Sequence, residues 1–129
     1  MHALSHPIGA HLGCHHGLTN AVVMPYVLSF NREAVQDRLA EVAQMLGLGR
    51  DFESFHSWVL RLREDLGIPH TLESLGFRAE HAALLAPEAL KDPTASTNPI
   101  VLTEENLQGL YQSALLGDGG APPMGAAGT

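Results

Sequence analysis

The chain is short of charge, of sulfur and of long apolar runs, and each shortage narrows what it can be. Asp, Glu, Lys and Arg make up only 16% of its 129 residues, against roughly 25% in an ordinary globular protein. Part of its surface must therefore be weakly polar or covered. Seven basic residues against fourteen acidic ones leave a formal charge of −7, and the basic ones are spread singly. No basic stripe exists to neutralise phosphates, which argues against nucleic acid and against an anionic membrane surface. Cys14 stands alone, so no internal disulfide is available. The longest apolar run, "AVVMPYVL", is broken by Pro25 and falls far short of the roughly 20 residues that span a bilayer. The first residues carry no basic start of the kind a secretory signal has. A soluble, cytoplasmic protein is expected.

What is present is helix-forming. The length fits one domain. Apolar residues reach 45%, too many for a disordered chain. "GLTNAVVMPYVLSF" is apolar almost all round and predicts a buried helix, with Pro25 costing it a kink or a backbone hydrogen bond. Asn31 is positioned to cap a helix from Arg32, and Asp51 to cap the next. Phe52, Phe55, Val59, Leu62 and Leu66 recur at helical spacing as a core stripe. Thr71 opens a short turn closed by Gly76. Arg78–Lys91 predicts two short helices parted near Pro87, "DPTASTNP" a loop, and Thr103 a cap for a last helix through Leu115. No alternating strand pattern is found. The expectation is an all-α bundle of five to seven helices over residues 1–116, followed by a disordered Gly/Pro/Ala-rich tail over 117–129.

Five of the eight histidines fall in "HALSHPIGAHLGCHHG", at 2, 6, 11, 15 and 16, whereas no lysine or arginine precedes Arg32. Imidazoles crowded among small and apolar residues suit a metal ion better than a solvated surface. His2 and His6 are four apart, the spacing of a helical clip. Pro7 disturbs that spacing, so either the helix carries a proline or it starts there. His16 follows Gly13 and stands beside Gly17. The pattern by itself divides evenly between a metal site and polar filler at a helix start. His11 and His15 fit exposed positions better than ligands. Cys14 beside them is a soft ligand or, more simply, a buried thiol.

"HALSHPIGAHLGCHHGLTNAVVMPYVLSFN" resembles the metal-binding signature of the iron-containing (group III) alcohol dehydrogenases. "LGIPHTLESLG" and "DPTASTNPIVLTEENLQGLYQSAL" resemble later segments of the same family's C-terminal helical domain, in the same order. The resemblance implies that His2 and His16 are metal ligands. It also implies that His6 lies by the nicotinamide and the reacting carbon as a cofactor-binding and catalytic residue without ligating the metal. The implied chemistry is a divalent ion, Fe(II) or at times Zn(II), acting as a Lewis acid on an alcohol oxygen while hydride passes to NAD or NADP. The implied substrate is a small-molecule alcohol or aldehyde.

The family's first two ligands, an aspartate and a histidine, and its glycine-rich nucleotide-binding domain have no counterpart in these residues. Two imidazoles fall short of the usual three protein ligands. The chain is therefore expected to work only with a nucleotide-binding domain in cis or in trans. The other reading is a non-catalytic, truncated helical module that binds metal weakly. Either way the helix from Leu18 to Phe30 is expected to be incompletely covered, giving an apolar patch and self-association into a homo-oligomer.

Overall fold

The computed structural model describes residues 1–117, so the tail expected from 117 onward lies, Gly117 apart, outside the described residues. The helices are α1 (His2–Leu12), α2 (His16–Phe30), α3 (Arg32–Met45), α4 (Phe52–Asp65), α5 (Ala79–Lys91) and α6 (Glu104–Leu116). Short 3₁₀ turns at Leu72–Leu75 and Pro93–Thr97 precede α5 and follow it. Among the described residues there is no strand, as the patterning indicated. None of these helices is long and apolar enough to cross a membrane.

α2 sits at the centre. Its apolar surface, apolar on every side in sequence, meets α1, α4, α6 and the first 3₁₀ turn. The main core joins Leu4 and Ile8 of α1, Val22, Val23 and Tyr26 of α2, Leu85 of α5 and Leu107 and Tyr111 of α6. A second, smaller core holds Ala43 of α3 against Phe55 and Val59 of α4. Beyond His16 and Gly17, no residue of α2 is exposed. Val22, Val23 and Tyr26 are buried by neighbours within the chain, while Met24, Val27, Leu28 and Phe30 are half-buried, so the coverage is incomplete but no fully exposed apolar residue lies on this helix.

Three helices, α1, α2 and α5, carry an interior proline and remain continuous through it. A proline ring supplies no N–H and crowds the carbonyls of the preceding turn. In α1 and α2 the carbonyl three residues before the proline, next to the one that loses its N–H partner, accepts from a side chain of another helix. The Tyr111 hydroxyl donates to the Leu4 carbonyl at 2.7 Å, before Pro7. The Arg63 guanidinium donates to the Val22 carbonyl at 3.0 Å, before Pro25. Arg63, only 6% exposed, also donates to the Pro69 and His70 carbonyls, and burial lowers its pKa from the usual arginine value. His56 adds a ring N–H to the Pro25 carbonyl at 3.0 Å. Burial pushes the His56 pKa below 6.5.

Several sequence expectations are corrected. α5 is one helix, not two, and Pro87 lies inside it. Ala82, Leu85, Ala86 and Ala89 are all buried, and continuous packing holds the turn together. The residue four before Pro87 is exposed Ala83, where water can serve the carbonyl. The α4 stripe leaves the core at its end: Leu62 is 40% and Leu66 67% exposed, because Arg63 is turned inward instead. Asn31 makes no cap bond but pairs both ways with the side chain of Asn98 at 2.8 Å. Asp51 and Thr103 do cap α4 and α6, and Gly76 closes its turn at φ 87°, a conformation that favours glycine.

Two outcomes are expected. Arg63→Met, which keeps the stem but strands buried carbonyls, should lower unfolding stability in urea by about 2–3 kcal/mol. His56 binds a proton more readily unfolded than folded, so its contribution is present above pH 6.5 and is lost as pH falls below that value. A pH series of urea melts should show that loss in the parent chain and a flatter profile in His56→Gln, which keeps a donor without titrating.

Candidate functional site

α1 runs through Pro7, so His2 and His6 lie one turn apart on the same helix. Their ring centroids are 5.8 Å apart. Gly13, at φ 67°, ends α1 in the left-handed conformation, and the chain turns back so that His16 begins α2. The His15 ring caps that helix, its Nδ1 accepting from the Leu18 N–H at 3.4 Å. The reversal brings His16 to 5.2 Å from both His2 and His6, measured between ring centroids. All three rings are exposed. They form an open cluster where α1 and α2 meet.

Geometry divides the three. Two imidazoles bound to one ion through nitrogens at about 2.1 Å have centroids about 5 Å apart. His2 and His16 meet that spacing with planes tilted by 50°. His6 and His16 stack at 19°. Lone pairs of imidazole nitrogens lie in the ring plane, so stacked rings aim them side by side rather than at one point. His6 is also tied elsewhere, its Nδ1 standing 2.6 Å from Asp92 Oδ2. Among the described residues no group of three or more His, Cys, Asp or Glu side chains is placed to hold a metal ion. The cluster offers two donors and an open side.

Supporting bonds hold the rings of His16 and His6. The Ser5 hydroxyl donates to Asn20 Oδ1 at 2.6 Å, which turns the Asn20 amide nitrogen toward His16 Nε2 at 3.0 Å. An amide nitrogen can only donate, so His16 Nε2 is the acceptor and its lone pair is taken up by Asn20 in this structure. A polar chain thus joins the helix of His2 and His6 to the ring of His16. Asp92 leads into the second 3₁₀ turn, where the Thr94 hydroxyl and N–H bind its Oδ1 at 2.6 and 2.8 Å. The Thr94 hydroxyl first, and His6 after it, hold the Asp92 carboxyl down at about 2.

Sequence reasoning did not reach Asp92, Asn20 or Ser5. Asp92 lies 86 residues from His6, and its only local signal, "DPT", indicates a turn. Of the remaining cluster, exposed His11 pairs with Glu88 across α1 and α5 at 2.8 Å. Half-buried Cys14 donates its thiol to the Leu75 carbonyl at 3.3 Å.

Comparison with known proteins bears on this geometry. Residues 1–115 match the family model described as "Fe-containing alcohol dehydrogenase family, C-terminal". The lactaldehyde reductase of Escherichia coli (strain K12) is 31% identical over 121 residues, covering 88% of this chain and 32% of that protein. The NAD-dependent methanol dehydrogenase of Bacillus methanolicus is 31% identical over 122 residues, covering 89% and 32%. Among solved structures, a 1,3-propanediol oxidoreductase matches with a TM-score of 0.83 at 30% identity, covering 88% of this chain and 32% of the other. The chain spans about a third of the length of these relatives.

Ser5 is buried and supplies the Asn20 amide with its donor. Ser5→Ala should cost about 1 kcal/mol in urea unfolding and free the Asn20 amide to rotate. The His16 ring, followed by ¹⁵N NMR, should then lose its fixed Nε2 acceptor state, whereas Ser96→Ala, remote from the cluster, should leave it unchanged.

Proposed function

The chain belongs to the Fe-containing alcohol dehydrogenase family as its C-terminal part, and from that premise we propose that it forms the metal- and substrate-facing portion of an NAD(P)-dependent enzyme oxidising alcohols to aldehydes or ketones. The observation that carries this reading is the spacing of His2 and His16 at 5.2 Å with tilted planes, while His6 stacks alongside and is held by Asp92. His2 and His16 would hold the ion. When bound, a divalent cation such as Fe(II) or Zn(II) supplies Lewis-acid polarisation of an alcohol oxygen. Imidazole donors serve either metal.

In this reading His6 works beside the pair rather than in it. Its Nδ1 is occupied by Asp92, which leaves Nε2 to take or relay the alcohol proton and to contact the nicotinamide. The open, exposed side of the cluster suits closure by a nucleotide-binding domain, in cis or in trans, that brings NAD or NADP and the remaining metal donors. We place the assembled enzyme in the cytoplasm. The two-donor count favours a second reading, in which the chain by itself is a folded helical module that binds metal weakly and is inactive.

Combining the chain with the nucleotide-binding portion of the Escherichia coli relative, Fe(II), NAD⁺ and a short alcohol should produce NADH. His16→Ala should weaken Fe(II) or Zn(II) affinity in that complex by roughly 100-fold, the upper end of what losing even a ligand-orienting group costs. A folded complex with no turnover, together with unchanged metal affinity in His16→Ala, would remove the enzymatic reading. Calorimetry on the chain alone addresses the second: tight binding without the complement would contradict it.

A further inference from the structure

The structure holds Asp92 against His6 more firmly than a surface ion pair requires. Its Oδ1 takes two bonds from Thr94 and its Oδ2 faces His6 Nδ1 at 2.6 Å. The Asp92 side chain is 11% exposed, whereas that of His6 is 45% exposed. The carboxylate is thus built into the fold, and the imidazole rests against it. An ionised carboxylate can only accept, so the His6 nitrogen facing it must carry hydrogen. Among the described residues, His6 Nε2 makes no hydrogen bond.

We infer that Asp92 is a positioning residue that locks His6 in its Nδ1–H tautomer and fixes its ring plane, so that Nε2 is presented as a lone-pair acceptor at the open side of the cluster. A free imidazole in water favours hydrogen on Nε2, which would present a donor where an acceptor is needed. The lock therefore reverses the ring's own preference, in the way a carboxylate sets the tautomer of a general-base histidine. Thr94 is the second part of the device. Its two bonds stop the carboxylate rotating, and the 3₁₀ turn carrying it packs against α1, the helix of His6.

The catalytic consequence rests on the proton-carrying role proposed above for His6, but the tautomer does not, and the two are measured separately. Long-range ¹H–¹⁵N spectra of the full chain, taken where the ring is neutral and assigned with His6→Gln, should show His6 as the Nδ1–H form. Asp92→Ala should move it mainly to the Nε2–H form, and Asp92→Glu should restore Nδ1–H at least in part. If Asp92→Ala does not fold, Thr94→Val retains both the carboxylate and the β-branched volume. It should give a mixture of the two forms. An Nε2–H signature in the parent chain, or a His6 signature unmoved in both Asp92→Ala and Thr94→Val, would overturn the inference. In the reconstituted complex Asp92→Ala should lower kcat by about 10- to 100-fold with little change in KM. A shifted tautomer with unchanged kcat would leave the lock standing and remove the catalytic use of His6.

Discussion

Two side chains from other helices reach main-chain carbonyls in the middle of α1 and α2, in the turn before each interior proline. Pro7 and Pro25 disturb α1 and α2, and the carbonyls of Leu4 and Val22 are answered by Tyr111 and Arg63. Each such hydrogen bond contributes about 0.5–1.5 kcal/mol, and about 1.5–3 kcal/mol where the donor is charged, so these two contacts tie α1 to α6 and α2 to α4. The Tyr111 hydroxyl is fully committed to that task, and its burial raises its pKa. Arg63 does more, since one guanidinium joins α2, α4 and the segment through His70. No Asp or Glu forms a salt bridge with it among the described residues. Carbonyl oxygens meet the cation instead.

The histidine cluster depends on this arrangement because its rings come from α1 and α2. α1 contributes His2 and His6, α2 contributes His16, and ring separations of 5.2 Å would not survive a sliding of one helix on the other. Ser5 and Asn20 tie the crossing directly beneath the rings. The proline in α1 also answers the ambiguity of its own sequence. A residue before proline resists helical dihedrals, yet His6 is helical, since packing of Leu4 and Ile8 in the core and the Tyr111 bond outweigh that local preference.

What could be read from the residues alone was whatever depends on neighbours within one or two turns. The caps at Asp51 and Thr103, the glycine stop at Gly76 and the buried character of Val22 to Tyr26 are of that kind, and so is the placing of His2 and His6 on one helix face. The failures share a different cause. Leu62 and Leu66 fit the apolar stripe of α4, but Arg63 from the same turn reaches inward to the carbonyls of Val22, Pro69 and His70, and the leucines face outward. Pro87 fits a helix break, but the burial of Ala86 and Ala89 carries α5 through it. Asn31 fits a cap, but an equally short path leads to Asn98. In each case a distant partner decided, and periodicity carries no trace of distant partners. Asp92 belongs to the same group, as nothing near it in sequence indicates an imidazole.

The cluster's exposure follows from the same economy. A complete metal site buried in one chain would need at least three donors from elements already used for packing, and α1 and α2 are already tied to α6, to α4 and to each other. What they leave facing outward is two imidazoles with tilted planes, a third ring braced by a fixed carboxylate, and room beside them. The His16 ring is oriented from behind by Asn20 of α2 and the His6 ring by Asp92 of the turn after α5, so their directions do not wait for whatever meets them from the front. A surface prepared in that way loses little conformational freedom when a second domain closes over it. In the proposed reading the incomplete donor set has a physical rationale: orientation would be supplied by this chain, and the remaining donors by a nucleotide-binding domain.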